Sequence, residues 1–349
     1  MRSKTGLIVL PLITLLLLLS GFATDNPYFT IGSNDVEFNI PQGFPKPTYD
    51  FKGNRPTPAG FTLGRLLFYD PILSLDSSTS CGTCHQRIAA FAHIDHALSH
   101  GVFGLIGKRN VPPLQNLIWG KSYMWDGGVN NLEIQPISPI SNPIEMKESL
   151  SNVIVKLQRS AYYRKAFSAA FGDSSITSER MLKALTQFTG LMISSNSRYD
   201  KFMRHEDTLR AIEYAGLKVF RSRCASCHRE PLFTDESYKT NGLNPDTALQ
   251  DMGRAIITGL HSDEYRFKVP SLRNVEMTYP YMHDGRFKTL QQVLDHYAIG
   301  KYYSVNMDAE LNDTKGMTDN EKKEILAFLK TLTDKAFLYD RRFADPSFQ

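Results

Sequence analysis

All four cysteines of this chain fall in two copies of one five-residue pattern, and this feature constrains the fold most. The copies are CGTCH at residues 81–85 and CASCH at residues 224–228. Side chains three and four positions apart lie on one face of a helix, so each copy groups two thiols with one imidazole. Two such thiols can form thioethers with the vinyl groups of one porphyrin, while the imidazole binds its iron. The pattern therefore predicts two covalently attached haem groups.

Other uses of paired cysteines explain less of this arrangement. Cysteines three positions apart are poorly placed for structural disulfides between distant segments. A four-cysteine zinc site places its pairs about 15–20 residues apart and needs no histidine after each pair. A thioredoxin-like dithiol needs neither the histidine nor a second copy. The residues predicted to hold the haem groups are Cys81, Cys84, His85, Cys224, Cys227 and His228.

The first 23 residues have the features of a secretory signal peptide. Arg2 and Lys4 precede an apolar run at residues 7–19, and a cleavage site of small residues ends at Ala23. The run is short for a membrane span and contains Pro11, so secretion is favoured over anchoring. We therefore expect a periplasmic protein from which residues 1–23 have been removed.

The composition is that of a globular protein without an affinity for nucleic acid. The chain has 349 residues, of which 42% are hydrophobic and 22% charged. This length suggests about two domains. The formal net charge is only +4, and no block of lysine or arginine is present, so a nucleic-acid partner is not expected.

A second pattern is repeated after each haem motif at identical spacing. The copies read VPPLQN, MWDG and Leu at 111–116, 124–127 and 132, and VPSLRN, MHDG and Leu at 269–274, 282–285 and 290. A glycine and a phenylalanine four positions apart also precede each motif, at Gly64 and Phe68 and at Gly216 and Phe220. The duplication predicts two related modules. We assign residues 24–200 to the first module and residues 201–349 to the second, with the boundary near 195–207.

The rest of the sequence reads as mostly helical. Apolar residues recur at helical spacing in two stripes, formed by Met181, Leu185, Phe188 and Met192 and by Leu209, Ile212, Gly216 and Val219. We expect both stripes to face the core. A capping box at residues 318–321 predicts the start of another helix, and residues 41–60 and 104–143 read as loops. The predicted fold is mainly α, with two related cytochrome c-like haem domains, long loops and little sheet.

The duplication also predicts that the two irons have different surroundings. Pro139 stands fourteen residues after Trp125, the second residue of the MWDG segment. Tyr297 stands fourteen residues after His283, the second residue of the MHDG segment. If the backbone paths match, each side chain lies over its own haem. A proline cannot bind iron, whereas a tyrosine phenolate can. The first haem would then keep an open or exchangeable site and the second would be closed. An ordinary packed tyrosine, or ligation by His296 or Met307, remains an alternative.

These motifs resemble those of the bacterial dihaem cytochrome c peroxidase/MauG family. The resemblance covers residues 58–335, and it rests on both haem motifs, GKRN at 107–110, WDG at 125–127, NPIEM at 142–146 and the segment 270–285. It implies that the N-terminal haem reacts with hydrogen peroxide, and that the C-terminal haem takes electrons from a small donor protein, a cytochrome c or a cupredoxin. Family members are often homodimers, so a homodimer is a possible assembly.

The resemblance also assigns roles to individual residues. Gln135 and Glu145 correspond to residues of the distal pocket, with Glu145 as the acid and base. Cleavage of a peroxide needs a proton moved from the iron-bound oxygen to the leaving oxygen, and a carboxyl group can carry it. Trp125 corresponds to a tryptophan between the two haems and is a candidate electron relay.

Further assignments concern the resting state and a metal ion. His100 corresponds to a histidine that blocks the first haem at rest in many members, although His93 and His96 are nearby competitors. The resemblance implies one calcium ion between the haems. Oxygen ligands suit this hard cation, and its expected ligands are Asn110, Thr278 and Pro280.

The sequence leaves three functions open. The leading hypothesis is a peroxidase that reduces hydrogen peroxide with electrons from the donor protein. A MauG-like oxidase that acts on an organic or protein substrate is the second, because Tyr297 stands where classical peroxidases have methionine, and a phenolate would lower the potential of the second haem. A dihaem electron carrier without enzymatic activity is the third.

Overall fold

The computed structural model describes residues 28–94, 96–300 and 306–348, and it is mostly helical. The predicted signal peptide therefore lies outside the described residues. Within the described ranges, none of the helices has the length and hydrophobicity needed to cross a membrane.

The described part of the first module contains one small sheet and six helices, and a seventh helix crosses the predicted boundary at residue 200. Its antiparallel strands are β1 (Phe29–Ile31) and β2 (Val36–Phe38). The helices are α1 (Pro58–Tyr69), α2 (Cys81–Cys84), α3 (Ile137–Ser141), α4 (Leu150–Arg159), α5 (Ala161–Phe171), α6 (Ser178–Gly190) and α7 (Arg198–Met203).

The second module has a similar composition of elements. Its helices are α8 (Ala211–Arg223), α9 (Ala255–Thr258), α10 (Leu290–Ile299), α11 (Asp319–Lys330) and α12 (Lys335–Tyr339). Its antiparallel strands are β3 (Tyr238–Lys239) and β4 (Phe267–Lys268). Over the described residues the strands form only two-stranded sheets, which confirms the prediction of a mainly helical fold.

The same helix crossing occurs once in each module. Helix α1 packs on α6, and α8 packs on α11. A Cβ atom added at Gly64 in α1 would lie 1.9 Å from the carbonyl oxygen of Ala184, and one at Gly216 in α8 would lie 1.9 Å from that of Glu324. No side chain fits at this distance, so the repeated glycine is what lets each pair of helices approach.

The predicted apolar stripes agree with the structure except at one position. The four side chains of the α6 stripe are all buried, and the capping box at the start of α11 is present. The prediction for Ile212 is wrong, because this side chain is 45% exposed. Its neighbour Glu213 is buried instead and accepts hydrogen bonds from Arg198 and from the backbone N–H of Arg210. These charge-assisted bonds offset the cost of burying the carboxylate at this position.

Two hydrophobic cores follow the two modules. The first runs from Phe29 to Ile193 and the second from Tyr199 to Leu332. The end of the chain returns to the first core, where Phe337 in α12 and Phe343 are fully buried. A boundary at residue 200 stays a prediction, but the change from one core to the other lies between residues 193 and 199.

Candidate haem sites and the cavity between the modules

Both cysteine motifs form a single helical turn. In α2 the backbone N–H of His85 donates to the carbonyl oxygen of Cys81 over 2.8 Å, and after α8 that of His228 donates to the carbonyl oxygen of Cys224 over 2.9 Å. All four cysteines are free thiols in the structure, as attachment of haem requires. The first motif is further fixed by a capping box formed by Ser80 and Thr83.

The two motif histidines are oriented by backbone carbonyl groups. The Nδ1 atom of His85 lies 2.6 Å from the carbonyl oxygen of Phe91, and that of His228 lies 3.2 Å from Phe233 and 3.1 Å from Pro270. A proton on Nδ1 satisfies these carbonyls and leaves Nε2 to bind a metal. Burial lowers the pKa of His85 to about 4, so its imidazole is neutral at physiological pH, as an iron ligand must be.

A cavity of about 580 Å³ opens beside the first motif. Its size is in the range of ligand and cofactor sites. The predicted site residues that line it are Cys81, Cys84, His85, His100, Asn110, Trp125, Gln135 and Glu145, together with Pro139. The thiols, the oriented imidazole and the cavity fit a covalently attached haem.

Glu145 brings a carboxyl group into this cavity. Burial raises its pKa, and a 2.9 Å hydrogen bond from the side-chain amide of Asn142 offsets part of that rise. A carboxyl group with a raised pKa is a better proton acceptor once ionised and can return the proton afterwards. Gln135 also lines the cavity, where its amide lies 3.6 Å from the sulfur of Met124.

The segment that carries His100 is packed on the segment that carries Glu145. A Cβ atom at Gly101 would lie 2.4 Å from the carbonyl oxygen of Glu145, and the backbone N–H of Val102 donates to that oxygen over 2.8 Å. The rings of His93, His96 and His100 contact one another, with centroids 4.6 to 6.2 Å apart. Of these three, His100 lines the cavity. Its ligation of iron stays a prediction.

Trp125 lies where the two modules meet. Its indole N–H donates to the carbonyl oxygen of Asn110 over 2.8 Å, and its own carbonyl accepts a 2.7 Å bond from the backbone N–H of Lys268. The backbone N–H of Asn110 in turn donates to the carbonyl oxygen of His283 over 2.7 Å. The tryptophan is therefore held by one residue from each module.

Part of the cavity wall comes from the second module, which the sequence analysis missed. Charged side chains of this wall are Glu236, Asp251 and Lys268. Arg109 connects the modules here, because its guanidinium donates to Asp126 over 2.6 Å and to both oxygens of Asp251 over 2.6 and 2.8 Å. Aligning the repeats would have indicated Lys268, which precedes the Val-Pro pair as Asn110 does.

The predicted ligands of the second iron lie in different settings. Tyr297 is in α10 and packs against the second core, as Cys224 does. The Nε2 atom of the rival His296 lies 2.7 Å from the carbonyl oxygen of Asn241, and the rival Met307 is 43% exposed. Burial also lowers the pKa of His228, which favours its neutral imidazole. Tyr297 as the sixth ligand stays a prediction.

The predicted calcium ligands come from both modules. The side-chain amide of Asn110 donates to the carbonyl oxygen of Ala97 over 3.0 Å, so its nitrogen is engaged and its oxygen is the atom suited to a cation. Thr278 and Pro280 follow a short turn at Val275–Met277 in the second module. No group of three or more histidine, cysteine or acidic side chains forms a metal site in the described parts of the chain. A calcium site would therefore depend on amide and backbone oxygens.

This architecture defines the class of the protein. Two related helical modules, each with a Cys-x-x-Cys-His turn and an oriented imidazole, are those of a dihaem c-type protein. Residues 58–208 match the model of the di-haem cytochrome c peroxidase family. Over 304 residues the chain is 34% identical to the methylamine utilization protein MauG of Methylorubrum extorquens, covering 85% of this chain and 83% of that protein.

Two further comparisons agree with this match. The chain is 33% identical to the cytochrome c551 peroxidase of Nitrosomonas europaea, covering 78% of this chain and 79% of that protein. The crystal structure of a MauG-like protein associated with microbial copper homeostasis superposes with a TM-score of 0.81 at 30% identity, covering 88% of this chain and 98% of that one. The chain belongs to the di-haem cytochrome c peroxidase family, whose members carry two haem c groups.

Proposed function

We propose that this protein is a periplasmic peroxidase that reduces hydrogen peroxide to water at the haem of the first module. A small donor protein, a cytochrome c or a cupredoxin, supplies the electrons through the second haem. The observation that carries the proposal is the carboxyl group of Glu145, which has a raised pKa and lines the same cavity as the haem-binding residues of the first motif.

A haem held by Cys81, Cys84 and His85 would supply an iron centre for the two-electron chemistry of peroxide. Glu145 would take a proton from the peroxide and return it to the leaving oxygen, which would depart as water. Asn142 holds the carboxylate through its amide hydrogen bond, and it keeps the pKa from rising further. Gln135 adds a second polar group to the same wall.

Trp125 is the proposed route for electrons between the haems. It lines the first cavity, and its backbone carbonyl is bonded to Lys268 of the second module. An aromatic ring held by backbone hydrogen bonds changes position little on oxidation, so it suits electron transfer.

A second candidate function is the oxidation of an organic or protein substrate. Tyr297 supports this candidate if its phenolate binds the second iron. A phenolate ligand stabilises ferric iron and makes the second haem a poorer acceptor of donor electrons. Tyr297→Phe should then raise the reduction potential of the second haem and change its ferric spectrum. An unchanged spectrum would remove Tyr297 from the ligand set and, with it, the support for this candidate.

The haem-loaded mature protein tests the peroxidase proposal through peroxide consumption with a reduced small cytochrome c as the donor. Glu145→Gln should slow the reaction with peroxide by a factor of about 10²–10⁴. Glu133→Gln is the matched control, because Glu133 bonds to Tyr49 and should keep the wild-type rate. Equal rates in both variants would contradict the role of Glu145.

The other functions give different results in the same assay. A long-lived oxidised state that ignores the cytochrome would support the MauG-like oxidase. Two low-spin irons that do not react with peroxide, before or after half-reduction, would support an electron carrier. Recovery of the haem-loaded protein from the periplasmic fraction, without residues 1–23, tests its export.

Calcium binding between the modules is a further part of the proposal. The side-chain oxygen of Asn110 and oxygens of Thr278 and Pro280 would hold the ion. Metal analysis of the purified protein should find one calcium per chain, and Asn110→Leu should lose it while it keeps both haems. A calcium-free wild-type protein would contradict the site.

A further inference from the structure

The cationic side chains that line the first cavity differ in how far nearby carboxylates neutralise them. Its cationic side chains are Lys108, Arg109 and Lys268. Lys108 is exposed to solvent, and Arg109 is paired with two carboxylates, those of Asp126 and Asp251. Of the two cations that are largely buried, Arg109 and Lys268, Lys268 is the one with the weaker charge compensation.

The surroundings of Lys268 hold its ammonium group in place and leave it only partly neutralised. Its backbone is fixed in β4, where the N–H donates to Trp125, and its side chain is 19% exposed. The Nζ atom donates to the carbonyl oxygen of Ser122 over 2.8 Å. The carboxylate of Glu236 lies 3.6 Å away, too far for a strong charged hydrogen bond. Burial lowers the pKa of Lys268, which shows that this wall alone solvates the charge poorly.

A haem c that occupies this cavity brings two anions with it. Its thioether bonds hold one edge of the porphyrin, and its two propionate carboxylates lie on the opposite edge. A carboxylate taken out of water is costly unless it meets a cation or hydrogen-bond donors. The cavity therefore needs a cation with spare donor capacity, and an ammonium group with three N–H donors has it.

We propose that Lys268, a residue of the second module, neutralises a propionate of the haem in the first cavity and thereby raises the reduction potential of that haem. This inference rests on the proposed haem site. A propionate without its cation makes the surroundings of the iron more negative, which favours the ferric state. Asn110 occupies the equivalent place in the first repeat and carries no charge.

The experiment is a reductive titration of the haem-loaded protein, followed by the spectra of the two haems. Lys268→Gln removes the charge and keeps an N–H donor for the carbonyl of Ser122. We expect two haems per chain and a shift of the first haem toward the ferric state by at least tenfold, roughly 59 mV for a one-electron couple. The second haem should shift by less. Lys268→Met gives the same comparison if the glutamine variant does not fold.

Two control variants separate charge from shape. Lys268→Arg should keep the wild-type potential of the first haem, and Lys108→Met should change it by much less than tenfold. An unchanged potential in Lys268→Gln, or equal shifts in Lys268→Gln and Lys268→Arg, would overturn the role of Lys268. A wild-type protein with fewer than two haems would instead overturn the haem assignment, and haem content measures this separately.

Discussion

The backbone N–H of Asn110 donates to the carbonyl oxygen of His283 over 2.7 Å. The mirror of this bond is also present, because the N–H of Lys268 donates to the carbonyl oxygen of Trp125 over 2.7 Å. Each donor directly precedes the Val-Pro pair of its repeat, and each acceptor is the second residue of its MWDG or MHDG segment. The two modules are therefore joined by two equivalent backbone hydrogen bonds, one in each direction, which are related by an approximate twofold axis. Trp125 and His283 are the equivalent acceptors, and their side chains differ.

Replacement of Trp125 should interrupt communication between the two haems. Trp125→Phe removes the indole N–H that bonds to Asn110 and the most easily oxidised ring at the module boundary. We expect both haems to be retained, with electron transfer from the second haem to the first slowed at least tenfold. Stopped-flow spectra after one equivalent of peroxide measure this transfer.

Trp119, the other tryptophan of the chain, provides a matched control. Its indole N–H also donates to a backbone carbonyl, that of Pro45 over 2.7 Å, and its ring packs within the first core. Trp119→Phe should lower the stability of the protein and leave the transfer rate unchanged. Equal slowing in both variants would show that packing, and not the relay, controls the rate.

The two helix crossings predict a cost for a single added methyl group. Gly64→Ala or Gly216→Ala would force the Cβ against a carbonyl oxygen of the partner helix, at 1.9 Å before relaxation. Overpacking of this kind costs about 1–3 kcal/mol of the free energy of unfolding. Gly53→Ala is the control, since no heavy atom lies within 4 Å of its added Cβ. Denaturant unfolding measures all three variants, and a neutral Gly64→Ala would mean that the helices can separate freely.

The sequence predicted the parts of the site that depend on local spacing. Each haem motif forms one turn, and this turn brings residues i, i+3 and i+4 to the same side. The paired glycines were found as a repeat, although their reason, the approach of α6 to Gly64 and of α11 to Gly216, needed the structure.

Contacts between distant segments could not be predicted from spacing. The wall formed by Glu236, Asp251 and Lys268 joins the first cavity only because the modules face each other. Ile212 fits a helical stripe but is exposed, while its neighbour Glu213 is buried in ion pairs with Arg198 and Arg210. In each of these cases, contacts between distant segments determined which side chains are buried or line the cavity, and the sequence periodicity does not reveal those contacts.

Asn142 should set the pH dependence of the reaction with peroxide. Burial raises the pKa of Glu145, and the bond from Asn142 lowers it in part. Because the deprotonated carboxylate accepts the proton, the rate should rise with pH through this pKa. Asn142→Ala removes the lowering contribution and should move the rise to higher pH. Stopped-flow rates at fixed peroxide across the pH range check this, and a shift to lower pH would contradict it.

The buried ion pair of Arg273 and Asp200 predicts a pH-dependent contribution to stability. Arg273 is fully buried and donates to both oxygens of Asp200 over 2.9 and 2.7 Å. Burial alone would raise the pKa of Asp200, but the guanidinium of Arg273 and the hydrogen bonds from Ser197 together outweigh it, and the pKa lies below its ordinary value of 3.8. The ionised pair therefore stabilises the fold above the pKa of the unfolded chain, and this contribution is lost as the pH falls through the lowered pKa.

Asp200→Asn leaves the guanidinium of Arg273 buried without its counter-charge. Breaking such a pair by removing one partner costs about 3–5 kcal/mol, so the variant should unfold at much lower denaturant concentration at pH 7. The difference from wild type should shrink as the pH falls from the ordinary pKa of aspartate through the lowered pKa of Asp200. The unfolded wild-type chain takes up a proton first, and the folded carboxyl group becomes neutral only below its lowered pKa. Asp173→Asn is the matched control, since Asp173 forms the same two-pronged pair with Arg180 on the surface and should change little. Equal losses in the two variants would show that burial does not set the strength of the Arg273 pair.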